Sequence, residues 1–228
     1  MNFLKKLPIS FKGELHHIQL VNFSVNAEEV APFIPNEIKI RMINGRAMIS
    51  MVNVELKKMY PTFLTSLMQF NYRHVGFRLL VDDSKLCGGK CKGIFFFRSF
   101  TDKALIISGG KMISDYNLEQ ASFHVAGNSF TMKEKESFLS YELNNKLPLP
   151  QLAELKETIG AIDRAYSILN GKLRMIEIQR EKWPIEPIHC SRFETNFFKT
   201  AKFEGAFIVR ETIFYHWLPP QFIKQKLQ

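Results

Sequence analysis

The stretch 93–121, GIFFFRSFTDKALIISGGKMISDYNLEQA, constrains the fold more than any other part of the chain. Its opening run is too apolar and aromatic for a solvent-facing strand, and one arginine, Arg98, interrupts it. A turn at Thr101-Asp102-Lys103 and a second apolar run, 104–108, predict two antiparallel strands buried on at least one face. Gly109-Gly110 comes next, then a polar cluster of Lys111, Ser114, Asp115, Tyr116, Asn117 and Glu119. The pattern predicts a hairpin that leads to a polar site.

Elsewhere strand signals outnumber helix signals. Residues 14–25 carry β-type apolar residues, 38–42 alternate, and Asn44-Gly45 signals a hairpin into a mostly apolar strand, 46–56. Asn26 with Glu29 has the form of a capping box, opening a short helix that Pro32 and Pro35 close. Pro61 can open another short helix, to about residue 69. Strands are expected at 72–81, 122–131, 137–143 and 173–183, with one or two more across 203–217. Residues 82–92 read as a polar loop, and the prolines at 184 and 187 as a break. Leu152, Leu155, Ile159, Ile162, Tyr166 and Leu169 fall at helical spacing, with Asn170-Gly171 as the stop. Pro219-Pro220 can start a short C-terminal helix. The 21 phenylalanines favour strands and an aromatic interior. The fold class is mainly β (β-rich α+β), an antiparallel barrel with a few peripheral helices. Residues 1–228 form one domain, because the part after residue 150 has too few strands to close a sheet alone.

Thirty-one basic residues against 22 acidic give a net charge of +9, which raises nucleic acid or a membrane surface as partners. The lysines come in pairs, not runs, and no RNA motif, zinc-finger spacing or basic heptad region accompanies them. A scattered basic surface is the expectation, with no nucleic acid and no membrane as partner. Three cysteines and a start, MNFLKKLPIS, without an apolar core suggest a reducing, cytoplasmic location. Cys87 and Cys91 form half of a metal site at most, with His189-Cys190 as the sole candidate second half. Two free thiols in a loop account for them better, so no metal and no cofactor are expected. His16-His17 and His74 stand apart from any partner motif, and no nucleophile elbow, P-loop or dinucleotide fingerprint occurs.

Ala31-Pro32-Phe33-Ile34-Pro35 followed by Ile38, then Gly45-Arg46-Ala47, Arg78 before Leu79-Leu80-Val81, and the run 93–97 form an ordered series. Together with 110–121, this series resembles an uncharacterised bacterial family of a domain of unknown function, related in fold to acetoacetate decarboxylase. The similarity spans roughly residues 15–215. It implies an acetoacetate decarboxylase-like barrel with a central cavity. Acetoacetate decarboxylase forms a Schiff base through a lysine whose pKa a neighbouring lysine depresses. By the resemblance, those two places fall at Leu118 and Glu119, and neither residue can form an imine. Decarboxylase activity is therefore not expected.

The site candidates each have two readings. Arg98, on a face with Ile94, Phe96 and Phe100, anchors an anion or forms a rim salt bridge with Asp102. Arg78 likewise binds an anion or a structural carboxylate. Lys111 is a nucleophile if buried and a solvated lysine otherwise. Asp115, Tyr116 and Glu119 supply acid–base groups or form a turn with exposed acids. The leading expectation is a barrel that binds a small anionic organic molecule, with Arg78 and Arg98 on the anion and Lys111, Asp115, Tyr116 and Glu119 at the mouth. One alternative is a lyase or hydrolase using Lys111, Asp115 or Glu119. Another is an interaction or scaffold protein whose pocket is filled by its own phenylalanines. Assembly into a homo-oligomer is compatible with such a barrel, but no stretch specifies a symmetry.

Overall fold

A computed structural model of the protein describes residues 9–63, 69–87, 91–113, 118–146, 152–169, 172–180 and 183–223. Two long strands, β1 (Phe11–Val25) and β3 (Arg46–Pro61), pair antiparallel along nearly their whole length and form its spine. The short β2 (Met42–Ile43) enters β3 through Asn44 and Gly45, both at positive φ (50° and 73°), the backbone of the expected two-residue hairpin.

From β3 the wall continues through β4 (Phe70–Leu80), β5 (Gly93–Thr101), β10 (Arg164–Leu169), β11 (Lys172–Arg180) and β14 (Ile213–Trp217), and returns to β1. Because β1 also pairs with β3, these seven strands close a barrel. The barrel is mixed, since β5 and β10 run parallel while its other neighbours are antiparallel. A parallel pair needs a long crossover, and here the first three strands of a second sheet are inserted between the two strands. That sheet comprises β7 (Ser122–Ala126), β8 (Ser129–Glu134), β9 (Ser137–Asn144), β12 (Glu186–Thr195) and β13 (Lys202–Val209), and it joins the second half of β1. The short β6 (Leu118–Gln120) lies on β5, and β15 (Gln221–Phe222) on β11.

Period-two alternation gives the shared strands two apolar faces. Val21, Phe23, Ile49, Met51, Val75, Phe77, Leu79, Phe95 and Phe97 pack outward against Phe130, Leu139, Tyr141 and Phe198 of the second layer. Leu15, Val52, Val54, Leu56, Ile94, Ile213 and Tyr215 face inward, in a cluster that reaches Ile159 and Ile162.

Several local expectations give way. The run 104–108 belongs to a helix, α3 (Ala104–Ile113), instead of a second hairpin strand. A short apolar run suits either state, and the place beside β5 is taken by β6 in parallel. The helix expected over 152–169 ends early, as α4 (Ala153–Gly160), and the rest becomes β10. Four-residue steps such as Ile162 to Tyr166 lie on one face of a helix and equally on one face of a strand. The capping box does not form. Asn26 Oδ1 accepts from Arg46 Nη1 at 2.8 Å, while Glu29 accepts the backbone N–H groups of Lys199 (2.8 Å) and Thr200 (2.9 Å). The helix there, α1 (Ala27–Val30), is one turn. Inside the polar loop another single turn, α2 (Ser84–Cys87), forms. Gly127, at φ 56°, splits 122–131 into β7 and β8. Pro61 closes β3, Pro187 pairs within β12, and the C-terminal prolines precede β15, not a helix. Most of the helix expected after Pro61 lies outside the described residues.

Candidate functional site

The barrel encloses a cavity of about 250 Å³. Most of its lining is apolar, including Val52, Val54, Leu56, Ile94, Ile176 and Ile178. The polar exceptions follow from register. Arg78 of β4 sits opposite Phe96 of β5, Tyr166 of β10 opposite Phe95, and Ser167 of β10 opposite Arg174 of β11. Arg78, Phe96, Ser167 and Arg174 therefore form one belt across four adjacent strands, all lining the cavity. The outer members are three strand spacings apart, about 14 Å along the wall, so two arginine side chains can converge on one ligand.

Both guanidinium groups are buried, at 4% exposure for Arg78 and 5% for Arg174. Arg78 Nε donates to the Ser50 carbonyl (2.9 Å) and its Nη2 to Ser50 Oγ (2.7 Å). Its guanidinium carbon lies 5.9 Å from the Trp183 ring centre. Ser167 Oγ is buried and makes no hydrogen bond among the described residues. Among the described residues that line the cavity, two arginines and one histidine are ionisable bases, and none is an Asp or Glu.

That histidine is His74, two positions from Gly76 and four from Arg78 on the same face of β4. Burial, and then the charge of Arg78, hold its imidazole down at about 3, so it is neutral at pH 7. Burial pushes the Tyr72 hydroxyl up, and it too stays protonated. Gly76 makes room between them. A Cβ there would come within 2.8 Å of the Phe96 ring and 2.9 Å of the His74 ring. Both tryptophans of the chain, Trp183 and Trp217, line the cavity. Toward the mouth stand Phe70 and Leu105, the latter 87% exposed on α3.

The expected site residues are dispersed. Arg78 is on the cavity wall. Arg98 is not, and a bulge is the reason. Phe77 pairs with Arg98 and Arg78 with Phe96, which leaves Phe97 as an extra residue in β5. Beyond the bulge the faces exchange, so Arg98 and Phe100 part from Ile94 and Phe96 and turn outward. There Arg98 grips Glu119 with two hydrogen bonds (3.1 and 2.6 Å), reaches Glu134 at 3.3 Å, and lies over the Phe100 and Phe197 rings. Asp102 pairs with Lys103 instead, at 3.7 Å. Glu119 is thus Arg98's partner, not a residue of the mouth. Lys111 lies on α3, with its side chain outside the described part, and Asp115 and Tyr116 are outside the described residues altogether. Leu118 does line the cavity. Cys91 donates to Asp82 (3.2 Å) and Cys190 to the Arg192 carbonyl (3.0 Å), in different layers of the fold. Among the described residues, no group of three His, Cys, Asp or Glu residues could hold a metal.

The sequence reading passed over Arg174, Ser167 and Trp183, and set His74 aside as isolated. The signal available was alternation: Arg174, Ile176 and Ile178 share one face of 173–183, as His74, Gly76 and Arg78 share one face of 72–81.

Residues 12–219 match the DUF2071 family, described as an uncharacterized conserved protein. The chain belongs to that family. No curated protein sequence matches it. This DUF2071 chain is similar in structure to an acetoacetate decarboxylase-like enzyme from Sphingomonas wittichii RW1, with a TM-score of 0.62 and 8% identity, over 97% of this chain and 95% of that one. Acetoacetate decarboxylase from Legionella pneumophila gives a TM-score of 0.62 at 12% identity, over 97% and 89% of the two chains. The enduracididine biosynthesis enzyme MppR complexed with pyruvate gives 0.55 at 11%, over 97% and 92%. The DUF2071 chain thus has the acetoacetate decarboxylase-like fold expected from the ordered motifs. Among its described residues, no helix is long and apolar enough to cross a membrane.

Proposed function

We propose that the protein binds a small organic anion inside its barrel, held by Arg78, Ser167 and Arg174. The belt of two buried guanidinium groups around a serine hydroxyl carries this reading. In a mostly apolar cavity such donors hold a carboxylate far more strongly than they would in water. Arg174 takes the part that the sequence suggested for Arg98. The net charge of +9 favours encounter with anions. A neighbour of the same fold, MppR, is found complexed with pyruvate. Leu118, buried in the cavity lining, cannot form an imine, so the reading is binding without Schiff-base chemistry.

Native mass spectrometry of the purified protein, before and after denaturation, tests this. The expected result is a released organic acid that is absent from an R78M/R174M double variant of native mass and fold. An acid retained equally by the folded double variant would overturn the reading.

A further inference from the structure

Resting on that reading, we infer that the ligand is an amphiphilic monocarboxylate: one carboxylate on an apolar body larger than a benzene ring. Two observations carry this, the size of the cavity and the confinement of its polar groups. A hydrocarbon-lined cavity of about 150 Å³ accommodates benzene. At about 250 Å³ the barrel holds a ring together with a short acid chain. A two- or three-carbon acid would fill only the region of the belt and leave the walls of Val52, Val54, Leu56, Ile176 and Ile178 without contacts. The charged groups among the described lining are gathered in the Arg78–Arg174 belt, with the neutral His74 and Tyr72 on the same β4 face as Arg78. A second carboxylate placed away from the belt would lie against those apolar walls, where an unpaired charge is strongly disfavoured. Phe96, Trp183, Tyr215 and Trp217 supply ring faces and edges for an aromatic body. The rim continues this character at Phe70 and Leu105, so an apolar body meets an apolar entrance.

Three probes separate the two levels of the proposal: 3-phenylpropanoate, propanoate, which keeps the head and lacks the body, and 3-phenylpropan-1-ol, which keeps the body and lacks the charge. Since both tryptophans line the cavity, intrinsic fluorescence reports binding in the intact protein, and calorimetry confirms it. Phenylpropanoate is expected to bind saturably, at least about a hundredfold more tightly than propanoate and at least about tenfold more tightly than the alcohol. Propanoate binding as tightly as phenylpropanoate would overturn the amphiphile and leave the anion site standing. The alcohol binding as tightly as the acid would overturn the anion site itself. No phenylpropanoate binding up to about 10 mM would overturn the amphiphile as well, since its head and body together should exceed millimolar affinity.

Discussion

On β4, one step along the chain crosses from a core filled with rings to the wall of the cavity. Val75, Phe77 and Leu79 point outward into the core between barrel and second sheet, and His74, Gly76 and Arg78 point inward toward the cavity. The outward core is crowded with rings. Phe77 alone has Phe23, Phe97, Phe100, Phe197 and Phe198 within 5.3 to 6.1 Å between ring centres. The inward face has a neutral histidine, a glycine and a buried arginine around open space. Phenylalanine, the residue in excess, is gathered at the layer interface, while Phe11, Phe70 and Phe96 line the cavity without filling it. The ring core and the cavity lie on two faces of the same strands, so each can be perturbed without the other.

The largest expected effect belongs to the ring core. Phe77→Ala should cost about 3–5 kcal/mol in urea unfolding, and a loss near that of an exposed residue would break the contrast. Arg98→Met comes next. It leaves Glu119 and Glu134 without their shared cation, and a loss of about 1.5–3 kcal/mol is expected with no change in ligand binding. Impaired binding in a folded Arg98→Met protein would return that residue to the site.

The pH dependence sharpens the inward side. In the unfolded chain His74 takes up a proton near pH 6.5, whereas in the fold it does so only at about 3. Between these values the unfolded state binds more protons, so this residue withdraws stability as pH falls through that window. The slope is up to about 1.4 kcal/mol per pH unit. His74→Gln should flatten the stability curve there relative to wild type, and parallel curves would refute a buried imidazole beside Arg78. The smallest effect on stability is expected from Arg78→Met, within about 2 kcal/mol of wild type. Relief of the cost of burying the charge offsets the loss of its hydrogen bonds to Ser50. Its consequence should appear in ligand binding instead.

Much of this architecture was legible in the sequence because strands announce themselves by alternation and by turns such as Asn44-Gly45. The ordered motifs placed the chain in its family and fold. What escaped detection depended on events that sequence periodicity does not encode. The bulge at Phe97 reversed the face of Arg98, and no residue type there signals an inserted position. The apolar run 104–108 fitted helix and strand alike. Arg78 was identifiable as an arginine before an apolar triplet. Arg174 met it only through the parallel pairing of β5 and β10, a contact between segments some seventy residues apart in the chain. Asp115 and Tyr116, expected at the mouth, belong to a stretch outside the described residues.

The pairing of β1 with β3 has a consequence for how the molecule comes apart. Each strand lends one face to the ring-filled interface and the other to the barrel, and their hydrogen-bonded ladder runs beneath both. Neither interior can melt while this ladder stays intact, and rupture of the ladder dissolves both. Unfolding should therefore be all-or-none despite two separate cores. The amides of residues 20–24 and 48–52 should be the last to exchange their hydrogens with solvent.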